Sequence, residues 1–140
     1  MLEVKHRITA SALTALILAV FVIANAHAQE IVVIVNPAAA AISKEQIVDL
    51  YLGRIGMWTP IDQAPDSLIY AQFYKRVTGR DSAQVKAIWS RILFTGRGQP
   101  PKQLPDSAAV KKAVAANVKA VGYIEKSAVD ASVKIALPIN

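Results

Sequence analysis

The segment Pro65-Asp66-Ser67-Leu68 has residue types that begin a helix and that could also bind an anion. The free backbone N–H groups of a helix start, together with the helix dipole, attract phosphate and carboxylate groups. A serine hydroxyl at this position can cap its own helix, which is the commoner use, or it can turn to an incoming oxyanion. Both uses need the same atoms, so the residues alone leave two roles open for Ser67.

A second candidate is the pair Asp62 and Asp66, the closest acids outside the predicted helix interiors. Paired carboxylates can perform acid–base catalysis. Asp66, however, follows Pro65 at a helix entry, where aspartate is favoured in turns and caps. We therefore interpret Asp66 as a turn residue and predict no catalytic residues.

Aromatic side chains follow Ser67 and could form a stacking surface. Tyr70, Phe73 and Tyr74 lie near Arg76 and Arg80, and nucleic acids are bound by such combinations. Phe73 belongs to the apolar stripe of the predicted helix, which favours a place in the core. We predict no nucleic-acid partner.

The first 28 residues have the features of a secretory signal peptide. Lys5 and Arg7 precede an apolar run from Ala12 to Ala24, and Ala26-His27-Ala28 is typical of a cleavage site. The run has 13 residues, whereas a membrane-spanning helix needs about 20. We predict cleavage after Ala28, a periplasmic location and no stable membrane insertion afterwards.

The composition of residues 29–140 excludes several kinds of site. Both histidines, His6 and His27, precede this part of the chain, and cysteine is absent throughout. Cys/His zinc sites, thiol catalysis and Ser-His-Asp triads each need one of these residues. No cluster of other residues suggests a catalytic or metal site, so we predict a protein that is not an enzyme and has no metal or cofactor. Without Lys5, Arg7 and Glu3, the net charge falls from +6 to +5, spread over single and paired basic residues.

The pattern of apolar and turn residues predicts an α/β fold with one domain over residues 29–140. Its length of 112 residues suits one modest core. Strands are expected at 31–35, near 61, and at the segments AVGYI and VKIAL. Helices are expected to start at Ser43, at Ser67, at Asp81 and at Asp106 or Ser107. The Gly- and Pro-rich segment 95–105 is predicted to be an irregular surface loop.

Three segments resemble periplasmic phosphate-binding proteins, the substrate-binding components of ABC transporters. In order along the chain they are ISKEQIVDLYLGRIGMW, IWSRILFTGRGQPP and AVAANVKAVGYIEKSAV. The resemblance covers nearly all of residues 29–140. The segment IWSRILFTGRGQPP resembles short stand-alone members of the family. It implies a single lobe of the two-lobe family fold, with a small mixed sheet flanked by about four helices.

The resemblance also implies a site. In the family, part of the anion site is a Ser/Gly-rich helix start, to which Ser67 corresponds as the ligand-contacting serine. Asp66 and Leu68 stand where the family has glycines, and Tyr70 stands where many members have arginine. Arg54 or Arg97 is expected to contribute charge from neighbouring loops, an assignment that rests on loop position.

Two functions follow from the resemblance. The first is binding of phosphate or a similar oxyanion for an ABC-type uptake system, with a permease as partner. The second is a lobe without a ligand that docks on an envelope protein, for which an exposed patch of Leu68, Tyr70 and Tyr74 would be the surface.

Overall fold

The computed structural model describes residues 29–140, so the predicted signal peptide lies outside the described residues. The elements are a mixed five-stranded sheet, four α-helices and one short 3-10 helix at Lys126–Ala128. The strands are β1 (Ile31–Val35), β2 (Thr59–Asp62), β3 (Lys102–Gln103), β4 (Ala120–Glu125) and β5 (Lys134–Ile139). The helices are α1 (Lys44–Tyr51), α2 (Leu68–Thr78), α3 (Ser82–Phe94) and α4 (Ser107–Ala115). The predicted α/β class with about four helices is confirmed.

The strand order β3-β2-β4-β1-β5 combines parallel and antiparallel pairs. β1 pairs antiparallel with β4 and β5, and β2 pairs parallel with β3 and β4. The two-residue strand β3 lies in the segment 95–105, so the prediction of a wholly irregular loop was wrong there. The backbone of β3 pairs with β2, a distant segment. The Gly- and Pro-rich composition of 95–105 does not reveal this pairing.

β1 separates two apolar layers because its side chains alternate between the faces of the sheet. Ile31, Val33 and Val35 pack with α1, α2 and α3, and Val32 and Ile34 pack with α4. All five β1 residues are therefore buried, as the uninterrupted β-branched run predicts. α2 is held between the sheet and α3, and this position determines which of its side chains reach solvent.

The helix caps agree with the predictions. Ser43 and Asp81 each form a capping box, with Gln46 and Gln84 respectively. Asp106 caps α4 through the Ala109 N–H. These local hydrogen bonds fix where the helices begin and therefore where the loops between them lie.

Gly122 in β4 lets α4 approach the sheet closely. A Cβ at this position would lie 2.6 Å from Val110 Cγ1 and 3.0 Å from Val114 Cγ2. We expect Gly122→Ala to lower the free energy of unfolding by about 1–3 kcal/mol, since overpacking forces neighbours to move. Chemical denaturation measures this, with Gly56→Ala as the control because a Cβ there meets nothing within 4 Å. Equal stabilities of the two variants would contradict the packing argument.

Candidate functional site

The start of α2 is a capped helix terminus. Ser67 Oγ accepts a hydrogen bond from the Tyr70 N–H at 3.3 Å and donates one to the Ala64 carbonyl at 2.6 Å. The same carbonyl accepts the Ser67 N–H at 2.9 Å. The first helical N–H groups, those of Leu68 and Ile69, have no intrahelical acceptor because of their position. Ser67 is thus a cap, and its hydroxyl proton is bonded to the Ala64 carbonyl.

The neighbours of Ser67 are open to solvent. Asp66 is exposed, and the Leu68 side chain is 72% exposed. None of the three ion pairs formed within residues 29–140 includes a residue of this segment. The helix start therefore offers N–H groups, and the helix dipole places the equivalent of roughly half a positive charge there. The Asp66 carboxylate would repel an anion bound at the same place.

Arg54 and Arg97 lie at one cavity of about 290 Å³. Each follows a glycine with positive φ that ends a helix, Gly53 (φ 74°) after α1 and Gly96 (φ 67°) after α3. The backbone N–H of Arg54 donates to the backbone carbonyl of Asp49, and the backbone N–H of Arg97 donates to that of Ile92. The lining residues of this cavity are Leu50, Gly53, Arg54, Ile55, Gly56, Trp58, Pro60, Trp89, Ile92, Arg97, Gly98 and Gln99.

The two predicted arginines are therefore brought together, but Ser67, Asp66 and Leu68 are not among the lining residues of their cavity. Arg54 is also paired with Asp49 at 3.0 Å, which offsets part of its charge. Trp58 lines the same cavity, and its Nε1 is buried without a hydrogen-bond partner in the described part of the chain. The five predicted site residues thus fall into two groups, one at the helix start and one at the arginine cavity.

The burial of Asp62 is the main feature that the sequence analysis did not predict. Asp62 is 2% exposed, and its Oδ1 and Oδ2 accept hydrogen bonds from the hydroxyls of Tyr123 (2.7 Å) and Tyr74 (2.8 Å). Burial raises the pKa of Asp62 to about 7, although the bonds from Tyr123 and Tyr74 lower it. The sequence signal was indirect: tyrosines at core positions need acceptors for their hydroxyls.

Asp62 also borders a larger, mostly apolar cavity of about 440 Å³ that runs along α3, which we call the α3 cavity. Its α3 residues recur at helical spacing, so one face of the helix forms the wall. The full lining is Asp62, Pro65, Tyr70, Ser82, Ala83, Val85, Lys86, Trp89, Ser90, Leu93, Pro100, Pro101 and Gln103. Pro65 and Tyr70 lie on either side of Ser67 in the chain, so the cavity is next to the start of α2.

The predicted aromatic docking patch is not present. Tyr70 and Tyr74 are buried and belong to the core cluster, and only Leu68 of the three is exposed. α2 lies between the sheet and α3, so its buried arc is wider than the single stripe read from the sequence. This correction removes the proposed surface of the interaction module, although exposed apolar side chains occur elsewhere, at Leu93 and Phe94.

The described residues give no sign of a metal centre or a membrane span. Residues 29–140 contain no group of three or more acidic, histidine or cysteine side chains placed to hold a metal ion. Within the same range, no helix has the length and apolar character needed to cross a bilayer.

Comparison with known proteins places the fold. No protein-family model matches the chain, and no curated protein matches it. The solved structures it resembles include an ABC-type phosphate transport receptor from Vibrio cholerae, with 18% identity and a TM-score of 0.58 over 76% of this chain. A putative phosphate ABC transporter substrate-binding protein with bound phosphate from Clostridium perfringens has 22% identity and a TM-score of 0.59. PstS from Borrelia burgdorferi has 12% identity and a TM-score of 0.56.

The chain spans less than half the length of each of these proteins, namely 45%, 44% and 46%. The match is therefore partial and corresponds to a single lobe. At these identities the likeness establishes the fold, and function has to be argued from the residues of this chain.

Proposed function

We propose that this protein is an exported solute-binding protein that binds phosphate or a similar oxyanion at the start of α2. The observation that carries the proposal is the arrangement at Ser67, where a helix start whose first N–H groups lack intrahelical acceptors lies between the exposed residues Asp66 and Leu68. The similar proteins from V. cholerae and C. perfringens are phosphate receptors by name. An ABC-type permease is the partner that this function would require.

The Ser67 hydroxyl can change acceptor without leaving an unpaired group. In the structure it donates to the Ala64 carbonyl, but that carbonyl also accepts the Ser67 N–H. Rotation of the hydroxyl toward an anion therefore keeps the carbonyl bonded. The N–H groups of Leu68 and Ile69 would supply the remaining donors, and Arg54 and Arg97 would act as more distant charges.

Binding is expected to be weak for an isolated lobe. A single lobe leaves the anion partly in water, where each hydrogen bond contributes less than in a closed cleft. Calorimetric titration of the purified protein with phosphate tests this, with sulfate and chloride as controls and the molar mass recorded in parallel. Selective micromolar binding would exceed what one lobe offers and would indicate that a second copy completes the site. Absence of heat at millimolar phosphate, from protein with an intact circular dichroism spectrum, would contradict the proposal.

Ser67→Ala is the sharpest variant for the site. We expect stability to fall by about 1 kcal/mol through loss of the cap, and phosphate affinity to fall roughly tenfold through loss of one charge-assisted hydrogen bond. Ser43→Ala is the matched control, because the Ser43 side chain also accepts the N–H of the residue three positions later at the start of a helix, here α1. It should cost similar stability and leave phosphate affinity unchanged. Unchanged phosphate binding by Ser67→Ala would overturn the assignment of Ser67.

A second candidate function is docking on an envelope partner protein, now through α3. Phe94 is 93% exposed and Leu93 is 45% exposed at the end of this helix, and exposed apolar side chains that adjoin one another can form part of a contact surface. A photo-crosslinker at position 94 would test it, with position 57 as control because Met57 is 72% exposed. Equal crosslinking yields from both positions would contradict a specific surface at α3.

A further inference from the structure

The α3 cavity contains one acid and one base among its lining residues, Asp62 and Lys86. They differ in their surroundings, since Asp62 is buried and Lys86 is exposed. A hydrated lysine has little effect on ligand choice, whereas a carboxyl group removed from water interacts strongly with whatever reaches it. Asp62 is therefore the group that determines which ligand charge the cavity accepts.

Asp62 lacks a cationic partner. Three ion pairs form within residues 29–140, and none of them includes Asp62. Its two oxygens each accept one tyrosine hydroxyl. A carboxylate offers about four acceptor positions, so each oxygen retains capacity for a further donor. The site is acceptor-rich and has no positive charge in contact.

The walls of the α3 cavity are largely apolar and aromatic. Tyr70, Trp89, Leu93 and Pro101 are among its lining residues. Such walls bind the apolar part of a ligand, and aromatic faces attract an adjacent cation. An oxyanion would meet mainly apolar walls and would lie beside the buried acid Asp62.

We propose that the α3 cavity binds a small organic amine whose ammonium group donates to Asp62 and whose apolar body lies against Tyr70 and Trp89. This site is separate from the oxyanion site proposed at Ser67 and does not depend on it. The two ligands have opposite charge, so one experiment can fail without the other.

The pH dependence of amine binding follows from the groups around Asp62. The hydroxyls of Tyr74 from α2 and Tyr123 from β4 donate hydrogen bonds to it. Tyr51 from α1 and Tyr70 from α2 are near enough to interact with it electrostatically. Lys86 from α3 lines the same cavity. Burial raises the pKa of each of these tyrosines, so all stay neutral. The pKa of Asp62 is about 7, and that of an alkylammonium is about 10. Amine affinity should therefore increase as the pH rises through 7.

The test is calorimetric titration of the purified protein with three probes of similar shape: phenethylamine, 2-phenylethanol and 3-phenylpropionate. At pH 8 we expect the amine to bind at least tenfold more tightly than the alcohol, and the ratio to shrink at pH 6. Asp62→Asn should reduce the affinity for the amine to that for the alcohol. Lys86→Met, the control in the same cavity, should keep or increase amine affinity.

Several results would overturn the proposal. They are equal binding of amine and alcohol at pH 8, tighter binding of the carboxylate, absence of binding by all three probes, and full amine binding by Asp62→Asn. If Asp62→Asn does not fold, the comparison of probes and pH values on the unmodified protein decides the question by itself.

Discussion

Replacing Phe73 by alanine is expected to lower the free energy of unfolding by about 3–5 kcal/mol, the largest effect of any single change considered for this protein. Phe73 is fully buried at the centre of an aromatic cluster. Its ring stacks on Tyr123 with centroids 3.7 Å apart, and it meets the edges of Tyr51 and Tyr74 at 4.7 Å and 5.3 Å. Truncation removes these contacts and leaves a cavity that the surrounding rings cannot fill, because hydrogen bonds hold their hydroxyl ends.

The chain provides a control of the same residue type. Phe94 is 93% exposed, so Phe94→Ala removes no packing and should change stability by less than about 0.5 kcal/mol. Urea denaturation of both variants, followed by circular dichroism, measures the difference. A loss below 1 kcal/mol for Phe73→Ala would show that the aromatic cluster does not hold α2 on the sheet.

Much of this fold could be predicted from the sequence because its signals are local. The uninterrupted β-branched run of β1 and the capping serines and aspartates each act within a few residues. The burial of Phe73 also followed from the helical spacing of apolar residues. Such features do not depend on which segments later become neighbours.

The features that were missed depend on distant contacts. Asp62 finds its hydroxyl donors 12 and 61 residues away, at Tyr74 and Tyr123. The prediction of an exposed patch at Tyr70 and Tyr74 failed for the same reason. The sequence shows α2 as an amphipathic helix with one buried stripe, but α3 covers a further part of its surface. Ser67 likewise lies outside the cavity that Arg54 and Arg97 share, and residue spacing along the chain does not reveal which loops come together.

These distant contacts join the α3 cavity and the aromatic core in one network. Asp62 borders the α3 cavity, and the tyrosines bonded to it belong to the cluster around Phe73. Gln63, the next residue, donates from its backbone to the Tyr123 hydroxyl at 3.2 Å and from its side chain to Ser107 Oγ at 2.9 Å. A change in the charge of Asp62 should therefore affect the hydrogen bonds that connect it with α2, with β4 and, through Gln63, with the start of α4.

The stability of the protein is expected to decrease as the pH rises from about 4 to about 7, and Asp62 is the cause. Its pKa is about 7 in the folded protein and about 4 in the unfolded chain. Between these values the folded state binds more protons than the unfolded state, so unfolding becomes easier with each increment of pH. The whole difference corresponds to at most about 4 kcal/mol. Asp130 acts in the opposite sense at lower pH, because its hydrogen bonds with Lys111 and Ser132 lower its pKa.

Asp62→Asn separates this effect from those of the other carboxyl groups. The amide keeps the shape and cannot ionise; its oxygen can accept from Tyr123, and its NH₂ group can donate to the Tyr74 oxygen. The Tyr123 oxygen already accepts the Gln63 N–H, so the NH₂ group faces Tyr74, whose hydroxyl then accepts where it donated in the parent. In this orientation the amide resembles the protonated acid, in which one of the two oxygens also carries a hydrogen. We therefore expect the variant to match the parent near pH 4, to be more stable at pH 8, and to show a nearly flat profile between them in urea denaturation. A parental slope that persists in Asp62→Asn would assign the pH dependence to other groups and would mean that the two tyrosine hydroxyls stabilise the Asp62 carboxylate against its burial.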